Sequence, residues 1–191
     1  GEGGPKEIID SGLFNVILSG KVSLYRDEKC DVPNIALHET LHALGFDHNN
    51  NPNSIMYPVT SCDEEFDDYI AEDINSIYST KSLPDLSITK ISANRDGRYL
   101  SFDIDVLNQG LVRTSPIVLT VYADDSLIKT FDQIEGLGIG YKKIISVQNL
   151  KVPYNSKTVR FSVETLNSDE EIDLDNNDAV IRMETKWIRN L

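Results

Sequence analysis

The pattern of hydrophobic and polar positions along the chain changes near residue 84. Before that point, the apolar side chains of residues 63–79 recur at intervals of three and four residues, with acidic residues on the opposite face. This period predicts an amphipathic helix. Ser61 and Glu64 have the spacing of a capping box at its start. We expect the apolar face to pack beneath the segment that precedes it in the chain.

A second helix is predicted over residues 33–44. Asp31 or Asn34 is placed to cap it, and Pro33 falls in its first turn, where the missing N–H costs nothing.

The segment before this helix is harder to assign. Residues 1–12 are rich in glycine and are predicted to form a loop. The run Leu13–Leu18 fits either a strand or a short helix, because six apolar residues do not define a period. Lys21–Arg26 alternates polar and apolar residues, which favours a strand.

After residue 84 the helical period disappears and short runs of β-branched and aromatic residues replace it. Turn signals such as Asn108-Gln109-Gly110 separate them. Seven strands in about a hundred residues predict a β-sandwich of immunoglobulin type. The predicted strands are Leu86–Ala93, Tyr99–Leu107, Ile117–Ala123, Leu127–Phe131, Lys142–Val147, Thr158–Thr165 and Ala179–Thr185. Residues 80–84 resemble a linker, so we expect domains at 1–82 and 83–191.

Composition narrows the classes of protein. The 191 residues carry a formal net charge of −13, and residues 1–82 hold 15 of the 31 acidic but only 5 of the 18 basic residues. Such a surface disfavours nucleic acids and anionic membranes as partners. No run is long and apolar enough to predict a membrane span. We therefore expect a secreted protein.

All three histidines of the chain lie within eleven residues. On a helix, His38 and His42 are one turn apart and point to the same side, so both imidazoles can reach one metal ion. Gly45 can adopt the left-handed conformation that ends a helix, after which His48 can supply a third ligand. Three imidazoles leave one position of a tetrahedral zinc ion open for water. The spacing therefore predicts a zinc site, with Glu39 as the general base.

The full pattern H-E-x-x-H-x-x-G-x-x-H, followed by Ser54-Ile55-Met56-Tyr57-Pro58, resembles the metzincin zinc peptidases and is most similar to their matrixin branch. The resemblance covers roughly residues 20–80. It implies a general base and acid at Glu39, a turn beneath the metal at Met56, and Zn²⁺ ligands at His38, His42 and His48. It also implies that two residues wall the pocket for the substrate side chain after the scissile bond, namely Tyr57 and Pro58.

The cysteines add one expectation. Cys30 precedes the first helix and Cys62 the second, and they are the only two in the chain. Given the secreted character of the family, we favour a disulfide over two unpaired thiols. It would close a 32-residue loop and contribute about 3 kcal/mol in the chain-entropy treatment.

The expected fold class is α+β with two domains. The first would be the C-terminal part of a metzincin catalytic domain, with its zinc-binding helix, Met-turn and C-terminal helix, and the second an all-β immunoglobulin-like sandwich. Metzincins place a substantial sheet before the metal helix, and only 37 residues precede His38. We therefore expect this sheet, including the edge strand that binds substrate, to be incomplete.

The second segment resembles the adhesion-related β-sandwich repeats of the CARDB type, on the basis of Pro84-Asp85-Leu86, Val106–Gly110 and the late acidic stretch that leads to Asn176-Asn177. Such modules imply a cell-surface or extracellular protein or glycan partner. Asp173–Asn177 with Glu184 also suggests a calcium loop. Asp178 stands where an EF-hand requires glycine, so a solvated acidic turn is favoured.

Together these patterns predict an extracellular zinc-dependent endopeptidase that acts on protein or peptide substrates and carries an accessory sandwich. Without an edge strand it would be a weakly active remnant of a larger peptidase. The alternative is a non-catalytic surface or adhesion protein that carries an inactive peptidase remnant. The retention of Glu39 beside three histidines favours the enzyme, because a protein that only binds has no use for that carboxylate.

Overall fold

The computed structural model describes residues 1–27, 29–167 and 169–183. Backbone contacts divide the chain into two compact units, one of Gly1–Asp10 with Asn15–Lys81 and the other of Ser11–Phe14 with Ser82–Leu191. In chain order the elements are β1 (Glu2–Asp10), β2 (Asn15–Ser23), α1 (Asn34–Ala43), α2 (Asp68–Ser79), β3 (Leu86–Asp96), β4 (Tyr99–Asn108), β5 (Ile117–Ala123), β6 (Ser126–Ile134), β7 (Lys142–Lys151), β8 (Thr158–Thr165) and β9 (Asp178–Arg182).

The expected fold class is wrong. The described residues are mostly β-sheet, and their two helices are short, with 10 and 12 residues. No helical metzincin catalytic domain, with a zinc-binding helix and a C-terminal helix, is evident in this part of the chain. The physical reason is that apolar residues follow the helical period of 3.6 in only two short segments. In most of the chain apolar and polar residues alternate, which favours strands.

The N-terminal segment forms a strand rather than the predicted loop. β1 pairs with β2 in an antiparallel hairpin, with Ile8 opposite Ile17. Its glycines allow close packing on α1, because a Cβ at Gly3 would overlap the backbone carbonyl of Glu39. On the partner strand, a Cβ at Gly20 would lie 2.9 Å from Cβ of Ala43. Glycine here serves the close approach of a strand to a helix, not flexibility.

The two helices begin differently from the prediction. Pro33 occupies the N-cap position of α1 without a side-chain cap, and Asn34 instead donates from Nδ2 to the carbonyl of Ser61 at 3.1 Å. α2 begins at Asp68, five residues later than predicted. The reason is that Glu65 forms a β-bridge with Ser54, and its carbonyl accepts from the N–H of Ile55 at 2.9 Å. This pairing keeps the chain extended where the helix was predicted to begin.

A small apolar core holds the helices of the first unit together. Four of its residues are almost completely buried, namely Leu41, Ile55, Met56 and Ile70, with Phe46 and Ile74 packed against them. On the predicted apolar face of α2, Ile70 is therefore buried and Ile74 partly buried, whereas Ile77 and Tyr78 stay exposed. A disulfide joins Cys30 to Cys62, with the Cα atoms 5.2 Å apart.

The second unit is a sandwich of two antiparallel sheets, ordered β3-β4-β7 and β6-β5-β8-β9. Buried residues alternate with less buried ones along β5, as a half-buried strand requires. One core contains residues from both sheets, and the rings of Phe102 and Phe161 meet edge to face with centroids 4.9 Å apart. In the described part of the chain, neither helix has the length and hydrophobicity that a membrane crossing requires.

Candidate functional site

Helix α1 and its C-terminal turn position the three histidines. His38 and His42 lie one turn apart on α1. The last helical residue is Ala43, and Gly45 follows the C-cap residue Leu44 with a φ of 96°. The N–H of Gly45 donates to the carbonyl of His42, and the N–H of Phe46 donates to the carbonyl of Leu41, both at 3.0 Å. These two bonds form a Schellman motif, which only a residue tolerant of positive φ completes without strain.

The turn brings His48 back toward the helix. Nε2 of His42 lies 3.0 Å from Nε2 of both His38 and His48, and the third separation, from His48 to His38, is 3.2 Å. The His38 and His42 rings are nearly perpendicular, at 88°. Three imidazole nitrogens therefore point at one small region of space. Among the described residues, this is the one cluster of three or more His, Cys, Asp or Glu with ligand atoms so close together.

Hydrogen bonds at the opposite ring nitrogens determine which tautomer two of these histidines adopt. Nδ1 of His38 lies 2.6 Å from the carbonyl oxygen of Ile55, and Nδ1 of His42 lies 2.7 Å from that of Phe46. A carbonyl only accepts, so both Nδ1 atoms carry the proton. Nε2 of each neutral ring is then a bare acceptor. Two acceptors 3.0 Å apart repel each other unless a cation lies between them.

This donor set fits zinc. Tetrahedral Zn²⁺ with nitrogen ligands at about 2.0–2.1 Å requires ligand atoms about 3.3–3.4 Å apart. The observed separations of 3.0 to 3.2 Å are slightly shorter. The pKa of His48 is lowered, chiefly because desolvation disfavours the imidazolium and further because His42 and His38 are close, although the residue as a whole is exposed. The neutral form, which is the form that binds metal, is thereby favoured.

Glu39 follows His38 on α1, and only 10% of its side chain is exposed. The amino group of Gly1 lies 3.6 Å from its Oε1. The hairpin packs on this part of the helix, because Gly3 lies so close to the backbone of Glu39 that a Cβ on Gly3 would overlap the Glu39 carbonyl.

The turn at Met56 is connected to the histidines by its backbone. The carbonyl of Ile55 orients His38, and the carbonyl of Met56 accepts from the N–H of Asn49, the residue after His48, at 2.9 Å. Met56 has no exposed surface. Tyr57 and Pro58 follow directly, the first half-buried and the second exposed.

A polar network that the sequence analysis missed supports this turn. Ser54 is 1% exposed, accepts from Nδ2 of Asn49 at 2.6 Å and from the N–H of Met56 at 3.0 Å, and donates to Oδ2 of Asp67. Nδ2 of Asn49 also donates to the hydroxyl of Tyr69 at 3.1 Å. Ser54 was partly indicated by the sequence, because it belongs to the matrixin-like pattern that ends at Pro58. Asp67 was hidden inside a predicted helix.

Comparison with known proteins supports the resemblance of the first segment. The Matrixin family model matches residues 15–80, which confirms the similarity inferred from the motif. A comparison with curated proteins found no match.

Two solved structures of single domains are similar to part of the chain. One is the crystal structure of a CARDB domain from Pyrococcus furiosus in complex with di-metal ions, 19% identical, covering 56% of this chain and 96% of that chain with a TM-score of 0.46. The other is the solution NMR structure of residues 272–376 of a Methanosarcina acetivorans protein, 13% identical, covering 57% and 97% with a TM-score of 0.47. The chain thus contains a segment that matches the Matrixin family model. A CARDB domain, the module type that the second segment resembles in sequence, is among the similar structures.

Proposed function

We propose that this protein is an extracellular zinc-dependent endopeptidase whose β-sandwich is an accessory module. The observation that carries the proposal is the convergence of three imidazole Nε2 atoms within 3.0 to 3.2 Å, with Glu39 next to His38 on the same helix. The Matrixin match over residues 15–80 supports the same class of chemistry.

His38, His42 and His48 would hold the metal. A zinc ion bound there would lower the pKa of a coordinated water toward about 7 and polarise the scissile carbonyl. The carbonyls of Ile55 and Phe46 keep two of the imidazoles in the tautomer with a free Nε2. Glu39 accepts the proton of the attacking water and passes it to the leaving amine, which departs as a neutral group.

We propose that β1 is the substrate-binding edge strand that the expectation of a weakly active remnant assumed to be absent. One edge of β1 pairs with β2, and within the described residues the two strands form a two-stranded sheet. An extended peptide can therefore add to the other edge through backbone hydrogen bonds. Gly3 packs on the backbone of Glu39, so a peptide on that strand runs close to the general base. Tyr57 and Pro58 are proposed to wall the pocket beyond the scissile bond.

The disulfide and the acidic surface support an extracellular location, because disulfides persist mainly in oxidising compartments. The sandwich contains none of the three histidines, so its role lies outside the chemistry. We propose that it holds the peptidase at an extracellular protein or glycan.

The test uses the full chain, stripped of metal and reloaded with zinc. Metal content and cleavage of casein and of a quenched fluorescent peptide library are measured for the wild type, Glu39→Gln, His42→Ala and the exposed control Glu72→Gln. Glu39→Gln should retain zinc and lose about 10²- to 10⁴-fold in hydrolysis. His42→Ala should lose both zinc and hydrolysis, and Glu72→Gln should retain both.

A chain that binds zinc but cleaves nothing would contradict the peptidase and favour the binding protein. Full activity in Glu39→Gln would contradict only the proposed role of Glu39 as general base, not the peptidase activity itself.

A further inference from the structure

One buried and one half-buried carboxylate lie near the start of β3 in the sandwich. Asp85 has no exposed surface, and its Oδ1 accepts from the N–H of Asp173 at 3.0 Å. Glu171 is half-buried, and its Oε2 accepts from the N–H of Leu86 at 2.6 Å. The two acidic residues are separated by most of the sandwich sequence, so only the fold brings them together.

Two asparagine side chains complete this group. Nδ2 of Asn176 donates to Oδ2 of Asp85 at 3.3 Å, and Nδ2 of Asn177 donates to Oε1 of Glu171 at 3.3 Å. The amide oxygens of both asparagines are buried and have no hydrogen-bond partner among the described residues. Asn177 is only 5% exposed. A buried amide oxygen without a donor is costly unless a cation or a water molecule satisfies it.

Burial disfavours the negative charge of both carboxylates in this group. Burial raises the pKa of Asp85, and the neighbouring Asp173 raises it further, although hydrogen bonds from Asp173 and Asn176 act in the opposite direction. Burial also raises the pKa of Glu171, and Asp85 and Asp169 raise it further, although hydrogen bonds from Leu86 and Asn177 act in the opposite direction. No basic side chain contributes to either shift. Two carboxylates and two asparagine amides with unsatisfied oxygens thus lie in one network, and no basic side chain among the described residues compensates the carboxylates.

We propose that Asp85, Glu171, Asn176 and Asn177 bind one calcium ion in the sandwich. Carboxylate and amide oxygens are the ligands that calcium prefers, and its irregular coordination of six to eight oxygens accommodates side chains from two distant segments plus water. Magnesium requires a stricter octahedron, and zinc selects nitrogen and sulfur ligands. This site differs from the EF-hand-like loop considered from the sequence. Asp173 caps its own turn by accepting from the N–H of Asp175 at 2.8 Å, and Glu184 lies outside the described residues.

Calcium at this position would fasten the beginning of the sandwich to the segment before β9. The backbone already connects them, because the N–H of Ile172 donates to the carbonyl of Pro84 and the N–H of Ile88 donates to the carbonyl of Asn176, both at 3.1 Å. An ion held between Asp85 and Glu171 adds a cross-link that exists only in the folded state. Binding therefore stabilises the sandwich against unfolding.

The experiment is a calorimetric titration of the full, zinc-loaded chain with calcium chloride, together with thermal unfolding at increasing calcium. We expect one calcium per chain, with a dissociation constant of about 10⁻⁵–10⁻³ M, the range of sensor and extracellular sites. At a hundredfold excess over that constant, the melting temperature should rise by at least about 5 °C.

Three variants locate the ion. Glu171→Gln and Asp85→Asn each retain an acceptor oxygen but lose a charge, and each should weaken calcium binding at least about tenfold. The matched control is Asp175→Asn, because Asp175 is exposed on the adjacent turn, and its affinity should stay within about twofold of the wild type.

Absence of calcium binding up to about 5 mM would overturn the proposal, because this concentration exceeds the dissociation constants of the weakest extracellular calcium sites. Binding that survives Glu171→Gln and Asp85→Asn but is lost in Asp175→Asn would also overturn it and would assign the ion to the exposed turn. If one variant does not fold, the other and the wild-type titration decide. Failure of the peptidase proposal would leave these results unchanged, because the sandwich contributes no histidine.

Discussion

Ser54→Ala is the most direct test of how the structure supports the histidine cluster. The hydroxyl of Ser54 is the centre of three hydrogen bonds, from Asn49 at 2.6 Å, from the N–H of Met56 at 3.0 Å, and to Asp67. Alanine removes all three without creating a large cavity. Because Asn49 follows His48 and Met56 follows the carbonyl that orients His38, two of the three histidines depend on this hydroxyl.

The expected cost follows from the surroundings of each partner. A hydrogen bond between neutral groups contributes about 1 kcal/mol and one to a carboxylate about 1.5–3 kcal/mol. Asp67 and Asn49 are half-buried, so water can replace part of what they lose. Asn49 also keeps its bond to Tyr69. The N–H of Met56 lies on a residue with no exposed surface and is left unsatisfied. We expect Ser54→Ala to lower the free energy of unfolding of the first unit by about 2–4 kcal/mol.

The assay is urea unfolding and calorimetry of the zinc-loaded full chain, with hydrogen exchange followed by mass spectrometry over residues 49–57. Only the transition of the first unit should shift, and amides in this segment should exchange faster. The matched control is Ser61→Ala, which removes one exposed hydrogen bond, from the N–H of Asp63 to the Ser61 hydroxyl at 3.3 Å. This substitution should lower the free energy of unfolding by less than about 0.5 kcal/mol. A loss below about 1 kcal/mol with unchanged exchange would refute the central role of Ser54.

Three further predictions test other parts of the chain. Gly20→Ala should destabilise the first unit by about 1–3 kcal/mol in urea unfolding because the new Cβ meets Ala43, whereas Gly4→Ala, which has open space, should be nearly neutral; equal effects would contradict packing of β2 on α1. Replacing Cys30 and Cys62 together by serine should cost about 3 kcal/mol, and an unchanged urea midpoint would show that the bridge does not constrain the unfolded chain. The N–H groups of Thr158 and Lys157 lower the pKa of Asp124, so its stabilising effect is present above the unfolded pKa and is lost as pH falls through the folded value. Acid unfolding should therefore be less steep in Asp124→Asn below about pH 4, and identical acid titrations would reject this linkage.

The sandwich was largely predictable from the sequence because its strands alternate and their turns carry strong local signals. The predicted Tyr99–Leu107 and Ile117–Ala123 agree with β4 and β5 within one residue. The hairpin turn at Asp124 and Asp125 has positive φ at both residues, as short hairpin turns require. In this part of the chain, local preference and tertiary structure agree.

The N-terminal unit was predicted less well because tertiary contacts override its local composition. Glycine in β1 lowers strand propensity, yet Gly3 is needed so that the strand can lie on α1. The capping-box contact between Ser61 and Glu64 does form, with the N–H of Ser61 donating to Oε1 at 2.8 Å. This contact stabilises a turn rather than the start of a helix, because the next residue, Glu65, pairs with Ser54. Neither contact is visible in a local sequence window.

The histidine motif itself shows where local information ends. For His42 the support is local, because its Nδ1 donates to the carbonyl of Phe46, which the Gly45 turn places four residues later. His38 depends on the carbonyl of Ile55, and Asn49, next to His48, depends on the carbonyl of Met56. The short motif therefore encodes one oriented imidazole, and the distant Met56 turn must orient the others. Since that turn is held by Ser54 and Asp67, the geometry of the histidine cluster depends on contacts as far away as the N-cap residue of α2. This dependence explains why H-E-x-x-H alone is weak evidence for a site and why the complete pattern through Met56 is strong evidence.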